Sequence, residues 1–350
     1  MAYGTLSSLD TLAASQQSIA AFGEDNAFDA IELARQAHNE IFQEMVSGFV
    51  EISTDRQRRY GGQTDMTMDE VDEFGRGDAQ KIPAGVTVGF PLRLFDVSVQ
   101  WTRKYMQNAK VSELAAQFTA AETAHIKRLQ REVKRAVFTS TNSTFVDRLV
   151  DSVSLAVKAF NNNDSAEIPP GPNGEAFAGS HQHYIARVGA LAATDITAVI
   201  ELVIEHHNTG QAMLYINRAQ EAAVRGFTSN FTPYVDARIV PGSGVTVASG
   251  QLAPTNLYNR AIGIFDGAEV WVKPWIPANY MFAFVQGAPK PLVLRERTAG
   301  SSGLMIAAED EAYPLRAKTL EAEFGVGVWT RTNGAVLYVG GTSYVIPTVT

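Results

Sequence analysis

The period of the hydrophobic positions changes from segment to segment along this chain. From Glu24 to Ser47, the residues Phe28, Ile31, Leu33, Ala34, Ala37, Ile41, Phe42 and Met45 recur mostly at spacings of three and four. That spacing predicts an amphipathic helix. It follows a polar start, so residues 1–50 read as a loosely anchored arm. Residues 51–101 then read as a long β-hairpin excursion. The outgoing leg is polar, with Gly61-Gly62 and the acids Asp69, Glu70, Asp72 and Glu73. Gly75, Gly77, Asp78 and Pro83-Ala84-Gly85 mark a turn-rich tip. On the return leg Val86, Val88, Phe90, Leu92 and Leu94 share one face, and Val97, Val99 and Trp101 continue on the other parity. A one-residue slip turns a strand over, which predicts a bulge or bend near Leu94-Phe95. Pro91 cannot donate to a ladder, so the strand should lie at an edge.

The period returns to that of a helix over residues 111–139. Val111, Leu114, Ala115, Phe118, Ile126, Leu129, Val133 and Val137 form its apolar stripe, and alanines fill its middle. Its C-terminal half carries Lys127, Arg128, Arg131, Lys134 and Arg135, which reads as a solvated face complementing the helix dipole.

Beyond Thr139 the pattern shortens. Val153, Leu155 and Val157 alternate before the turn cluster Asn161 to Asp164, and Ile168 to Gly174 is a loop by its prolines and glycines. A compact α/β region follows. Its expected elements are a helix from Asp195 to His207 capped by Thr194, a strand from Met213 to Ile216 and a helix from Arg218 to Arg225. Strands are expected at Gly263–Phe265, Ala268–Val272 and Tyr280–Val285. A β-rich end follows, with strands at Leu292–Glu296, Lys318–Trp329 and Ala335–Val339.

Composition narrows the function more than the fold. The 350 residues are 45% hydrophobic and 19% charged, ordinary values for a chain with a real core. No run approaches the length of a membrane span. The first residues lack the basic start and apolar stretch of a signal peptide, so synthesis in a host cytoplasm is expected. The absence of cysteine removes disulfides, thiolate metal sites and cysteine nucleophiles. A net charge of −8 speaks mildly against a dedicated nucleic-acid binder and does not exclude a protein that encloses DNA without gripping it.

Candidate chemistry is sparse. His181-Gln182-His183 and Glu205-His206-His207 are the metal candidates among six histidines. Neither pair has the four-residue helical spacing of a zinc site, so exposed or interface histidines are expected, and no metal. His38 and His125 should be packing or interface residues. Val240-Pro241-Gly242-Ser243-Gly244 lacks the lysine of a phosphate cradle, and no nucleophile elbow occurs. Gly325 and Gly327 inside a strand should permit close backbone approach. No catalytic residue, cofactor or metal is assigned, and the chain is not expected to be an enzyme.

The order of parts, and stretches such as Glu113-Leu114-Ala115 through Lys134-Arg135-Ala136-Val137-Phe138, carry a resemblance. So do Gly263-Ile264-Phe265-Asp266-Gly267, Val270-Trp271-Val272 and Trp275 to Phe284. Together they resemble the tailed-bacteriophage major capsid proteins of the Hong Kong 97-type fold. The resemblance implies an α+β chain with an N-arm (1–50), an extended loop (51–101), a peripheral domain with the spine helix (102–165), an axial domain (166–290) and a return to the peripheral domain (291–350). It implies hexamers and pentamers of an icosahedral virion shell around double-stranded DNA, with portal, scaffolding and decoration proteins as further partners. No membrane partner is implied, and no N-terminal scaffold segment is expected. Members that crosslink use a loop lysine and a distant asparagine. Lys81 and Asn333 occupy such places here, but crosslinking is not expected. An encapsulin-like compartment for an enzyme cargo is the alternative on the same fold, and a soluble enzyme with an unrecognised site a weaker one.

Overall fold

The computed structural model describes residues 9–61, 85–234 and 259–349, and between 61 and 85 only positions 68, 70, 71, 73 and 75. In chain order, α1 (Leu9–Ala14) and α2 (Ile19–Phe22) lead into α3 (Glu24–Val46), followed by β1 (Val50–Ser53) and β2 (Gln57–Tyr60). Next come β3 (Val86–Gly89), β4 (Arg93–Thr102), α4 (Arg103–Asn108) and α5 (Val111–Phe138). Two short strands, β5 (Ser143–Val146) and β6 (Ser154–Val157), precede β7 (Tyr184–Arg187), α6 (Ala193–Ile204), β8 (Gln211–Ile216) and α7 (Arg218–Gly226). The remaining strands are β9 (Phe231–Pro233), β10 (Arg260–Phe265), β11 (Ala268–Val272), β12 (Tyr280–Gln286), β13 (Leu292–Glu296), β14 (Met305–Ala312), β15 (Leu315–Val328) and β16 (Ala335–Val339).

Helix α5 is the spine. Its 28 residues give a length of about 42 Å at the standard rise. Val111, Leu114, Phe118, Ala121, His125, Leu129, Val133 and Val137 are buried on one stripe. The small Ala115 and Ala121 let α1 and α3 approach closely. Helix α3 forms where the spacing predicts it, but it is not loosely held. Ala27, Ala30, Ile31, His38 and Phe42 are buried against the main core, while Leu33 and Ile41 of the expected stripe are exposed. Asn39 fixes the helix to the C-terminal segment: its Nδ2 donates to the Leu304 carbonyl (3.0 Å) and its Oδ1 accepts from Leu304 N–H (2.8 Å). The reading of residues 1–50 as a detached arm is therefore corrected for residues 12–50.

Among the described residues, one sheet has the order β1-β13-β15-β14, with β4 also paired to β15. β1 runs parallel to β13, and β4 lies antiparallel to β15 from Arg93↔Phe324 to Thr102↔Leu315 without a register shift. The expected bulge at Leu94-Phe95 is therefore absent. The turnover falls two residues earlier, between Leu92 and Arg93 at the start of β4, just past Pro91. Phe90 and Leu92 are buried on one side of that break, and Val99 and Trp101 face the core from the other. Among the described residues β4 pairs with β15 alone, as the edge reading requires. The excursion proper is narrower than 51–101. Its base is the ribbon Gln57↔Gly89 to Tyr60↔Val86, which closes over Val88, Phe90 and Val293.

The second sheet has the order β7-β16-β12-β8-β11-β10-β9. Period-two alternation divides its two faces. Met213, Tyr215, Phe282 and Phe284 join the core shared with α5, and Leu214, Ile216, Met281 and Ala283 join a second core under α6 and α7. β16 belongs to this sheet, while β13, β14 and β15 belong to the first, so residues 291–350 serve both. α6 begins at Ala193 with Ala192 as its N-cap, two residues ahead of the expected Thr194 cap. Ala192 offers no side-chain oxygen; instead the Asp195 carboxylate reaches back and accepts from Ala192 N–H (3.1 Å). Among the described residues no helix is long and apolar enough to cross a membrane.

Candidate functional site

The acidic stretch 69–73, Lys81 and the 240–244 turn fall wholly or partly outside the described residues. Asn333 is inside them and is fully buried. Its Oδ1 accepts from Val285 N–H (2.7 Å), and its Nδ2 donates to the carbonyls of Val285 (3.0 Å) and Pro289 (2.8 Å). An amide used this completely is a structural staple of the β12 end, not a free reaction partner.

The basic half of α5 is also used internally. Glu132, 1% exposed, receives Arg128 (2.8 Å) and Arg135 (3.0 Å) from its own helix and lies 3.5 Å from Arg93 of β4. Arg128 also lies over the Phe95 ring at 4.1 Å. The expected solvated face is thus corrected for Arg128 and Arg135, which Glu132 gathers because three and four residues separate neighbours on one helix face, while Lys127 is exposed as expected.

Histidines form two buried groups. His38 Nε2 lies 3.1 Å from His125 Nδ1, His125 Nε2 bonds the Ser302 carbonyl (2.9 Å), and Phe42 stacks on the His125 ring. Burial lowers the His125 pKa to about 4, so the ring is neutral at pH 7. These two are packing residues, as the sequence suggests.

The second group joins the two metal candidates of the sequence, whose convergence no spacing showed. His181 and His183 enter β7, while Glu205 and His206 follow the last turn of α6. The fold closes them together, with one ligand atom from each lying within 4.8 Å of every other. His206 Nε2 is 3.2 Å from His183 Nε2 and 3.2 Å from His181 Nε2, and His181 Nε2 is 2.9 Å from Glu205 Oε1. His183 is fully buried, with its Nδ1 2.8 Å from the Gly334 carbonyl. Phe177 covers His206 at a centroid distance of 4.0 Å. Burial pulls the His206 pKa down to about 3 and that of His183 well below its ordinary value, and it raises the Glu205 carboxyl. The reading of these histidines as exposed or interface residues is corrected for His183 and His206. His207 points elsewhere, toward Thr332 Oγ1 (3.2 Å).

Among the described residues, the β14–β15 hairpin is open to another molecule. All eight residues of β14 are exposed, on both faces of the strand. Met305, Ile306, Tyr313 and Leu315 place apolar groups there, with Tyr313 84% exposed. Among the described residues β14 pairs only with β15, leaving its other edge unpaired.

No protein-family model and no curated protein matches the chain. Solved structures do. A chain from Mycobacterium phage Patience is 20% identical with a TM-score of 0.66, and the match covers 100% of this chain and 97% of that one. This is the Hong Kong 97-type capsid fold. A capsid of a native GTA particle is 16% identical, TM-score 0.49, over 85% of this chain and 90% of that one. An encapsulin complex from Synechococcus elongatus is 14% identical, TM-score 0.46, over 87% and 90%. On the Hong Kong 97-type plan, α5 is the spine and the β2–β3 ribbon is the base of the extended loop.

Proposed function

We propose that the chain is the major capsid protein of a tailed phage, assembling as hexamers and pentamers into an icosahedral shell around double-stranded DNA. The end-to-end correspondence with a phage chain, covering 100% and 97% of the two, carries this reading. The exposed β14–β15 hairpin supports it. A strand exposed on both faces, with one edge open, gains its missing burial and hydrogen bonds from a neighbouring copy. The net charge of −8 fits an inner wall that holds DNA without adhering to it. The subunit acts through its contacts rather than through chemistry, in the virion and during assembly in the host cytoplasm. Portal, scaffolding and decoration proteins would meet the same shell.

Negative-stain microscopy and sedimentation of the purified chain test this. Closed particles of megadalton mass are expected. A single small oligomer under all assembly conditions would overturn the reading. Shells that co-purify with a protein cargo would favour a compartment of the encapsulin kind instead.

A further inference from the structure

The His181, His183, Glu205 and His206 cluster has a geometry that hydrogen bonding among its members does not satisfy while Glu205 is ionised. His183 Nδ1 faces a carbonyl, which only accepts, so this nitrogen carries the hydrogen. In the neutral ring the Nε2 of His183 is then a bare lone pair. His206 Nε2 can donate one hydrogen to it, and the Asn161 Nδ2 amide lies 3.4 Å from it as a longer second donor. If His181 Nε2 donates to Glu205, the remaining contact sets two N–H groups face to face at 3.2 Å. If His181 Nε2 is bare, it meets the carboxylate at 2.9 Å with no hydrogen between them. With Glu205 ionised, either assignment leaves one contact repulsive.

A cation at the centre removes the conflict, because it accepts all three lone pairs and the carboxylate at once. The histidine dimensions agree, while Glu205 Oε1, 3.9 Å from His206 Nε2, has to close in on the ion. Nitrogen ligands about 2.05 Å from a tetrahedral metal lie about 3.3 Å apart, with ring centroids about 5.2 Å apart. The observed Nε2 separations from His206 are 3.2 and 3.2 Å, and the three ring centroids are 4.9, 5.1 and 5.2 Å apart. The outer contacts are those of a metal-binding histidine as well. The Gly334 carbonyl holds His183 in the tautomer that presents Nε2. Glu205 is the C-cap residue of the twelve-residue α6, whose dipole favours a positive charge there.

We propose that His181 Nε2, His183 Nε2, His206 Nε2 and Glu205 bind one divalent transition-metal ion, zinc by its donor set and tetrahedral spacing. Four protein ligands make a closed coordination shell, so the ion is structural. It ties the segment entering β7 to the end of α6 and, through Gly334, to the start of β16. The inference is independent of the proposed shell function, since it concerns one subunit alone.

The test strips the purified protein with chelator, adds ZnCl2, removes free metal by gel filtration and measures bound zinc by mass spectrometry. One zinc per chain is expected, together with a raised melting temperature. CoCl2 in place of zinc should give the intense visible bands of tetrahedral cobalt. His181→Gln and Glu205→Gln lie at the partly exposed rim of the cluster and should keep the fold by circular dichroism. Each should lower zinc affinity by at least about 100-fold, the upper end of what losing an outer-shell partner costs. Wild-type protein that retains no more zinc than His181→Gln, with an unchanged melting temperature, overturns the proposal. Should a variant misfold, the cobalt spectrum of the wild type decides: absence of tetrahedral bands rejects the site.

Discussion

A Cβ placed on Gly325 would collide with the carbonyl oxygen of Pro91. The chain leaving the extended loop crosses β15 here, and only a hydrogen at residue 325 admits it. Gly327 repeats the relationship one pleat along, where an added Cβ would stand 3.0 Å from Phe90 Cδ1. The backbone must shift to admit a side chain, so Gly325→Val is expected to cost about 3 kcal/mol, at the upper end for overpacking. Urea unfolding should show the midpoint fall; an unchanged midpoint would remove the packing role.

Tyr60 pairs with Val86 at the base of the extended loop, so the chain can be closed there without its distal part. Replacing residues 61–85 with Asn-Gly supplies a two-residue hairpin turn. The shortened protein should keep its helical circular dichroism and cooperative melt but form no particles by light scattering. Normal shells from it would refute an assembly role for the loop.

Glu132 is the shared partner of Arg93, Arg128 and Arg135. Glu132→Gln leaves three guanidinium groups close together without a counter-charge. The cost should be about 2–3 kcal/mol, below the 3–5 of a fully buried pair because the arginines are partly solvated. High salt should recover part of that loss in denaturant titrations, and a salt-independent loss would contradict the electrostatic account.

Acid should weaken the fold through His125. Its pKa falls from an ordinary 6.5 to about 4 on burial, so the folded state resists protonation while the unfolded chain does not. The stabilisation is complete above pH 6.5 and is lost as the pH drops toward 4. Stability should fall by at most about 1.4 kcal/mol per pH unit for this one proton. His125→Gln should flatten that slope while lowering stability at pH 7; an unaltered slope would assign the acid sensitivity elsewhere.

Asn333 spends its whole side chain on Val285 and Pro289. Assembled particles boiled in detergent should therefore run as a single band at the subunit mass of 37.9 kDa. A ladder of covalent multimers would show that this asparagine, or another, is released for crosslinking.

The sequence disclosed most where spacing is local. The ends of α5 and α3 fall within one residue of the expected positions, because a helix repeats its buried face every three or four residues whatever surrounds it. β14 escaped notice for the converse reason. Its residues Met305 to Ala312 are exposed on both faces, so no alternation marks it. The break just past Pro91 was legible as a change of parity, but its position depended on where β15 passes, a long-range fact. The histidine cluster shows the limit plainly. His181 and His206 are brought together by α6 and the segment before it, and no spacing rule applies to ligands that a whole helix separates.

β15 runs unbroken from Leu315, at the exposed hairpin, to Val328, deep in the first sheet. Midway along its buried half, Phe324 lies 5.7 Å from both Phe42 of α3 and His125 of the spine. The strand is thus a lever whose handle stands in solvent and whose fulcrum is β4. On the proposed shell reading, a contact made at the handle would be felt at the joint between α3 and α5, which Phe324 touches.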